Sequence, residues 1–321
     1  MCTSITYQTE DNVRMLARTM DFSFQLGAKP IYIPKNYHFA TLAGQSGFTG
    51  REAFLGAGAN VGGYIFADGL NAAGFSMAAL YFSENAKYAD EADPDKTNLE
   101  SADLVAWGLS QASSVADFID RFKKVVIVNQ ENRFLKIVVP LHWVLADKSG
   151  VSKVLEITAS GVHYYDNQVG VMTNSPAYGW HMENLRRYNH LQPQDHADRQ
   201  YGSFKSISDG PGYGALGLPG DYSSVSRFIR AAFLRNYIGK TTGGEAGAKA
   251  VFHLLNAFDI PKGVKIQANG ESDYTQYKCV MDLTNSAYYF QLYEQFGPAK
   301  YALDAHLLAS DQVVELDKAT A

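Results

Sequence analysis

The alternation of apolar and polar positions predicts that the chain opens as a strand, a turn and a returning strand. Residues 3–9 (TSITYQT) alternate and are rich in β-branched side chains. Glu10, Asp11 and Asn12 have turn chemistry, and 13–19 (VRMLART) has the period of a partner strand. The segment 22–27 (FSFQLG) is apolar with a polar residue interleaved, and 30–37 and 39–42 read as strands. The glycine-rich stretch 56–63 (GAGANVGG) reads as a flexible loop, either at a pocket rim or simply between elements. Residues 64–68 and 74–82 read as two strands joined by a Leu-Asn-Ala-Ala turn. Residues 83–98 are polar and acidic and read as a solvated connection.

The period then lengthens to that of a helix. Residues 99–112 place Leu104, Trp107 and Leu109 near one face, and Ser114 can cap a second helix over 115–123. Strand patterning returns at 125–128, 134–139 and 142–146. It continues through 151–158, 162–165 and 169–172 as an antiparallel meander. A helix is predicted over 177–191, with Pro176 acceptable near its first turn. Little apolar periodicity marks 192–220. Ser223 or Ser224 can cap a helix to residue 237, with Val225, Phe228, Ile229, Ala232 and Phe233 as its apolar stripe. A helix over 245–258 follows, then strands over 274–283, 287–293 and near 299–305. Strands in two groups, with helices between and after them, predict an α+β fold.

Composition narrows the function classes. A hydrophobic content of 46% supports a sizeable core, and a net charge of −5 argues against a nucleic-acid partner. No apolar run approaches the ~18 residues of a membrane span. No basic region followed by an apolar core opens the chain, so no secretory signal is expected. Two cysteines, Cys2 and Cys279, do not make a disulfide framework. A soluble, cytoplasmic protein is expected. The eight histidines are scattered without H-E-x-x-H or C-x-x-C, so neither a metal nor another cofactor is expected. Gly212-Tyr-Gly-Ala-Leu-Gly217 matches G-x-G-x-x-G but neither follows a strand nor opens a helix, and is rejected as a dinucleotide site. Ser46 and Ser76 lack the G-x-S-x-G context of a hydrolase elbow.

The candidate chemistry gathers at the amino terminus. Met1 precedes a small side chain, the setting in which the initiator is usually removed. Its loss would leave Cys2 with a thiol and a free amine of pKa roughly 7.7–8.0, able to take the thiol proton. The alternative is a frayed terminus. The hairpin brings Arg18 and Asp21 alongside Cys2, where a guanidinium favours thiolate and a carboxylate can hold an ammonium. Elsewhere the residues leave their roles open. Asn174 suits a turn, and Tyr81 suits a strand core. Arg227 lies in a first helical turn, where a cation opposes the helix dipole. Cys279 reads as a buried small hydrophobe.

Cys2 with the run RTMD (18–21) resembles the start of the choloylglycine hydrolase family, N-terminal-nucleophile amidases that include penicillin V acylases and conjugated bile salt hydrolases. The resemblance continues through GLNAAGFSMAALYF (69–82), VMTNSPAYGWHMENLRRY (171–188), LGLPGDYSSVSRF (216–228) and DIPKGV (259–264). It implies a single domain over 1–321 with the αββα four-layer sandwich, and catalysis by Cys2 with Arg18, Asp21 and Arg227 as a charge network. It implies that Asn174 and the Tyr81 backbone N–H bind the oxyanion. It also implies that 192–220 extends outward for assembly, typically into a homotetramer. Tyr stands at 81 where the family's bile salt hydrolases usually have Asn, so the resemblance leans to penicillin V acylase. Conjugated bile salts and N-acyl homoserine lactones are the alternative substrates, and a non-catalytic binder of amphipathic acyl ligands is the alternative of another class. Met20, Phe22, Phe24 and Tyr64 are candidates to line the acyl pocket.

Overall fold

A computed structural model describes residues 1–41, 43, 47–132, 136–208 and 210–316. Leu42, Ser46 and Phe134, which entered the sequence reading, lie outside the described residues. The observed architecture is α+β. Two antiparallel sheets face each other, and each carries a pair of helices on its other face.

The first sheet is built around the predicted hairpin, β1 (Cys2–Gln8) and β2 (Arg14–Phe22). The second sheet takes its strands from the middle of the chain: β3 (Lys29–Ile33), β4 (Phe54–Asn60), β5 (Tyr64–Asn71), β6 (Phe75–Tyr81), β7 (Leu141–Asp147), β8 (Ser152–Thr158) and β9 (Gly161–Asp166). The chain returns to the first sheet with β10 (Val171–Met172), β11 (Tyr274–Asp282), β12 (Ala287–Leu292) and β13 (Ala299–Ala302). A last short strand, β14 (Val314–Glu315), edges the second sheet. The spatial orders are β10-β1-β2-β11-β12-β13 and β9-β8-β7-β6-β5-β4-β3-β14.

Strand alternation decides what faces what. In β2, Arg18 points toward the second sheet and pairs with Asp68, whereas Met15 meets Gly247 of a helix on the opposite face. Helices α1 (Leu104–Gln111) and α2 (Val115–Phe122) cover the second sheet. Leu104, Trp107 and Phe118 pack there with Phe75, Met77 and Trp143. Ser114 caps α2 by accepting from the Asp117 N–H, as its position predicts. Between the two pairs of helices comes α3 (Tyr178–Leu185). Helices α4 (Ser224–Tyr237) and α5 (Gly244–Asn256) cover the first sheet, with Phe228, Ile229, Val251 and Leu255 in the same core as Ile5 and Val280. Ser223 is the α4 cap.

The structure corrects several expectations. Only 61–63 of the stretch 56–63 connect strands as a loop: Gly56 and Gly58 lie in β4, where a Cβ would come within 2.3 Å of Asp68 O and 2.6 Å of Ile65 O respectively. Glycine is there for close approach between strands. Residues 136–140 form no strand. The meander breaks after β9, because β10 pairs with β1 in the other sheet. Within the solvated connection, Tyr88 is buried, with its hydroxyl bonded to Val139 O and Leu141 O. The helix expected over 177–191 stops at Leu185 and continues as one turn of 3-10 helix, Arg186–Tyr188. No helix among the described residues is long and apolar enough to cross a membrane.

Candidate active site

The first residue of β1 is Cys2, paired with Met20 across the hairpin. Its side chain is buried, and Arg18 Nη2 lies 2.6 Å from Sγ. The other guanidinium nitrogens are held as well: Nη1 bonds Ala67 O at 3.2 Å and pairs with Asp68 Oδ2 at 3.3 Å, and Nε donates to Thr19 O at 3.2 Å. Asp68 in turn accepts from the hydroxyls of Tyr277, at 2.6 Å, and Tyr288. Burial works against the Arg18 charge, but the Cys2 sulfur, Tyr277 and Asp68 outweigh it and hold its pKa well above the ordinary value. The guanidinium is therefore a fixed cation aimed at the sulfur.

The backbone side of Cys2 has its own network. Its N–H donates to Asn174 Oδ1 at 2.9 Å, and Arg227 Nη2 donates to the same oxygen at 2.7 Å. Arg227 also donates to Thr3 Oγ1 at 2.7 Å and to Cys2 O. It is fully buried, although it lies in the first turn of α4. Burial lowers the Arg227 pKa while Asp21 and Cys2 oppose that shift. The Asp21 carboxylate is oriented by two hydroxyls, Thr275 Oγ1 at 2.7 Å and Thr19 Oγ1 at 3.1 Å. The Met1 amine donates to Asp21 O, and burial lowers its pKa while Cys2 and Asp21 pull the other way.

Asn174 arrives from the loop after β10, and its backbone is clamped. Its N–H donates to Ser224 Oγ at 2.9 Å, and its carbonyl accepts from Ser224 Oγ and from His181 Nε2, each at 2.9 Å. The preceding carbonyl, Thr173 O, accepts from His142 Nε2 at 2.9 Å, and His142 Nδ1 lies 3.3 Å from Glu156 Oε1. The Asn174 amide donates through Nδ2 to Tyr81 O at 2.8 Å. Tyr81 thus sits next to Asn174. Phe82 N bonds to Pro140 O, and peptide directions alternate along an antiparallel strand, so the Tyr81 N–H points away from β7. On that other side the recorded β5–β6 register ends at Ala78.

An apolar cavity of about 120 Å³ adjoins Cys2, with Met20, Phe22, Ile65, Tyr81 and Leu141 among its walls. Of the four expected lining residues, Met20 and Phe22 are there. Phe24 packs edge-on against Phe22, with ring centroids 4.6 Å apart, and stands behind it. Tyr64 is placed elsewhere: it meets Tyr37, and its hydroxyl lies 3.4 Å from Glu315 Oε1, while Ile65 is part of the wall. Gly58 and Ala59 of β4 form part of the wall, so one expectation for the glycine-rich stretch, a place beside a pocket, fits the structure.

Sequence reasoning missed Asp68, Thr275, His142, Glu156 and His181. Asp68 and Glu156 did carry a signal. Each interrupts an otherwise buried strand, and a buried carboxylate needs partners. Cys279 is buried as expected, but its sulfur is 3.5 Å from Asp68 Oδ1 rather than in purely apolar surroundings. Among the described residues, no group of three or more His, Cys, Asp or Glu side chains could hold a metal ion.

The geometry pairs a shielded thiol with a permanent cation, beside a backbone whose nitrogen donates to the Asn174 amide oxygen and whose carbonyl accepts from a second arginine. Comparison with known proteins gives this arrangement a family. Residues 2–316 match the model of linear amide C–N hydrolases, choloylglycine hydrolase family. The bile salt hydrolase/transferase of Clostridium perfringens is 34% identical over 301 residues, covering 92% of this chain and 90% of that protein. The crystal structure of a mutant conjugated bile acid hydrolase from the same organism superposes with a TM-score of 0.91 at 30% identity, covering 99% of this chain and 97% of that one. Penicillin V acylase from Agrobacterium tumefaciens shares the fold, with a TM-score of 0.76 at 23% identity over 97% of this chain and 90% of its own. The chain belongs to the choloylglycine hydrolase family and is a linear amide C–N hydrolase with its cysteine at the amino terminus.

Proposed function

We propose that this enzyme cleaves the amide bond of conjugated bile salts, with Cys2 as nucleophile in an αββα N-terminal-nucleophile sandwich. The observation that carries the mechanism is the Arg18 guanidinium 2.6 Å from Cys2 Sγ. Once Met1 is removed, the Cys2 amine takes the thiol proton and Sγ attacks the amide carbonyl. The oxyanion forms against Asn174 Nδ2 and the Tyr81 N–H, donors of a kind worth on the order of 3–4 kcal/mol each. The ammonium, held by Asp21, returns the proton to the leaving nitrogen, and water activated by the same amine opens the thioester. Arg227 fixes Asn174 Oδ1 and so holds the amide plane, and the Nδ2 hydrogen not donated to Tyr81 O serves the reacting oxygen.

The substrate class follows the relatives rather than the lean drawn from Tyr81. Substantial identity over nearly the whole length is to proteins named for bile salts. The acylase reading keeps one observation in its favour. The Tyr81 ring stands edge-on to Phe22 at 6.4 Å, and the cavity they border is about 120 Å³, near the ~150 Å³ that holds a benzene ring. A phenoxyacetyl group suits that space, whereas a steroid needs the walls to open. Steady-state kinetics on glycocholate, taurocholate, penicillin V and an N-acyl homoserine lactone decide between them. The largest kcat/KM is expected for a conjugated bile salt; a larger value for penicillin V or the lactone would overturn the reading.

The same reading includes a homotetramer assembled through 192–220. There a hairpin of Arg199–Tyr201 with Phe204–Ser206 exposes Tyr201 and Phe204, and Ile207 and Leu216 are exposed nearby. Light scattering on the purified protein tests it, and a monomer at micromolar concentration would refute it. Both cysteines are free, which suits a cytoplasmic location.

A further inference from the structure

A second cavity lies at the far end of the hairpin and has no part in the chemistry at Cys2. Its volume is about 370 Å³, inside the range of roughly 300–1,000 Å³ typical of small-molecule sites. Its wall includes Gln8, the last residue of β1, which at about 3.3 Å per residue is about 20 Å from Cys2.

Two guanidinium groups border it. Arg14 lies against the β7–β8 turn at Gly150, where a Cβ would stand 2.8 Å from its Cζ. Arg235, from α4, lies against Gly170, where a Cβ would collide with its Cζ. Both glycines have positive φ, 94° and 64°, so the backbone that seats each arginine is one that other residues rarely adopt. Arg14 donates to Gln8 Oε1, and Arg235 donates to Thr6 O and to Thr6 Oγ1. Among the described residues, neither guanidinium has a carboxylate within ion-pair distance. Arg14 Nε and Nη2 and Arg235 Nη1 make no hydrogen bond to a described residue.

The carboxylates of the wall are already committed. Asp147 accepts from the N–H groups of Val115 and Ser149 and from the Ser149 hydroxyl, and Asp166 pairs with Lys153 at 2.6 Å. Neither guanidinium is therefore in an ion pair among the described residues, and of the wall carboxylates only Asp147, held by neutral donors, lacks a cation of its own. Burial lowers the Arg235 pKa, only partly opposed by Tyr178, so its charge is held at a cost. An anion with oxygens in two or three directions would offset that cost through charge-assisted hydrogen bonds. Val151 and Leu283 supply an apolar side to the same space.

We propose that this cavity binds a small organic anion whose carboxylate, sulfonate or phosphate head sits between Arg14 and Arg235, with its apolar body against Val151 and Leu283. The test is calorimetric titration of the full-length enzyme with benzoate, methanesulfonate and inorganic phosphate at constant ionic strength. The three probes separate the head-group types and show whether an apolar body is needed. Saturable benzoate binding is expected, at least tenfold weaker in Arg14→Gln, while amide turnover by that variant stays at the wild-type level. Arg14 is partly exposed, so its replacement keeps the test valid if Arg235→Gln fails to fold. Absence of saturable binding by every probe, or equal benzoate affinity in wild type and Arg14→Gln, would overturn the site. Phosphate binding as tightly as benzoate would overturn the organic body.

Discussion

Arg18 Nη2 lies 2.6 Å from Cys2 Sγ, and both side chains are buried, so the nucleophile shares its low-dielectric site with a permanent cation. In such surroundings the guanidinium acts on the thiol more strongly than it would at a surface. The same guanidinium neutralises Asp68. Arg18→Met therefore has two expected effects. Alkylation of Cys2 by iodoacetamide at pH 7 slows at least tenfold. Stability falls by about 3–5 kcal/mol, because a carboxylate is left buried without its partner. An unchanged alkylation rate in a folded variant would remove Arg18 as the activating charge.

Maturation is the second prediction. The mechanism needs the Cys2 nitrogen as a free amine, and that nitrogen already points at Asn174 Oδ1. Intact mass of active enzyme is expected to show loss of Met1. Fully active protein that retains Met1 would rule out proton transfer by the Cys2 amine.

The two cysteines separate cleanly. Cys2→Ala is expected to abolish turnover and Cys279→Ala to leave it nearly unchanged. Burial first, and then Asp68, push the Cys279 thiol well above its ordinary range, so it stays protonated and slow to alkylate. Peptide mapping after iodoacetamide inactivation locates the modified residue. Inactivation through Cys279 with Cys2 spared would reverse the assignment.

Tyr81 tests specificity. Its ring borders the apolar cavity, while its backbone carbonyl accepts from Asn174 Nδ2 whichever side chain is present. Tyr81→Asn is expected to lower kcat/KM for penicillin V relative to glycocholate by about tenfold, equivalent to about 1.4 kcal/mol of differential transition-state binding. An unchanged ratio would leave specificity to the surrounding loops.

Acid sensitivity should trace in part to His181. Its Nε2–H donates to Asn174 O, and its Nδ1 is buried without a partner among the described residues, so a second proton gains no hydrogen bond there. Burial accordingly pushes its pKa down to about 4, against about 6.5 in an unfolded chain. Between those values the unfolded state binds more protons, so stability rises with pH there and is lost as pH falls from about 6.5 toward 4. The contribution at neutral pH is on the order of 3 kcal/mol. Denaturant unfolding at pH 7 and pH 4.5 should show a smaller difference for His181→Gln than for wild type; equal differences would exclude the residue.

What the sequence alone determined about this protein was local. Period-two alternation and the Glu-Asp-Asn turn set the opening hairpin. That hairpin suffices to bring Arg18 and Asp21 beside Cys2, since strand register is a short-range property of turn and pattern. Ser114 and Ser223 marked their helix starts for the same reason: a cap acts on the next turn of its own chain. Family resemblance, rather than periodicity, pointed to Asn174 and Arg227. Their approach to Cys2, and that of Thr275 to Asp21, depends on β10, α4 and β11 returning to the first sheet, and no local pattern encodes that. The tertiary structure also decided that Gly56 and Gly58 form a strand, that Ile65 rather than Tyr64 is part of the cavity wall, and that Asp68 lies under Arg18. Each of these depends on which surface packs opposite, where contact distance and the need to pair a buried charge override the preferences of the segment itself.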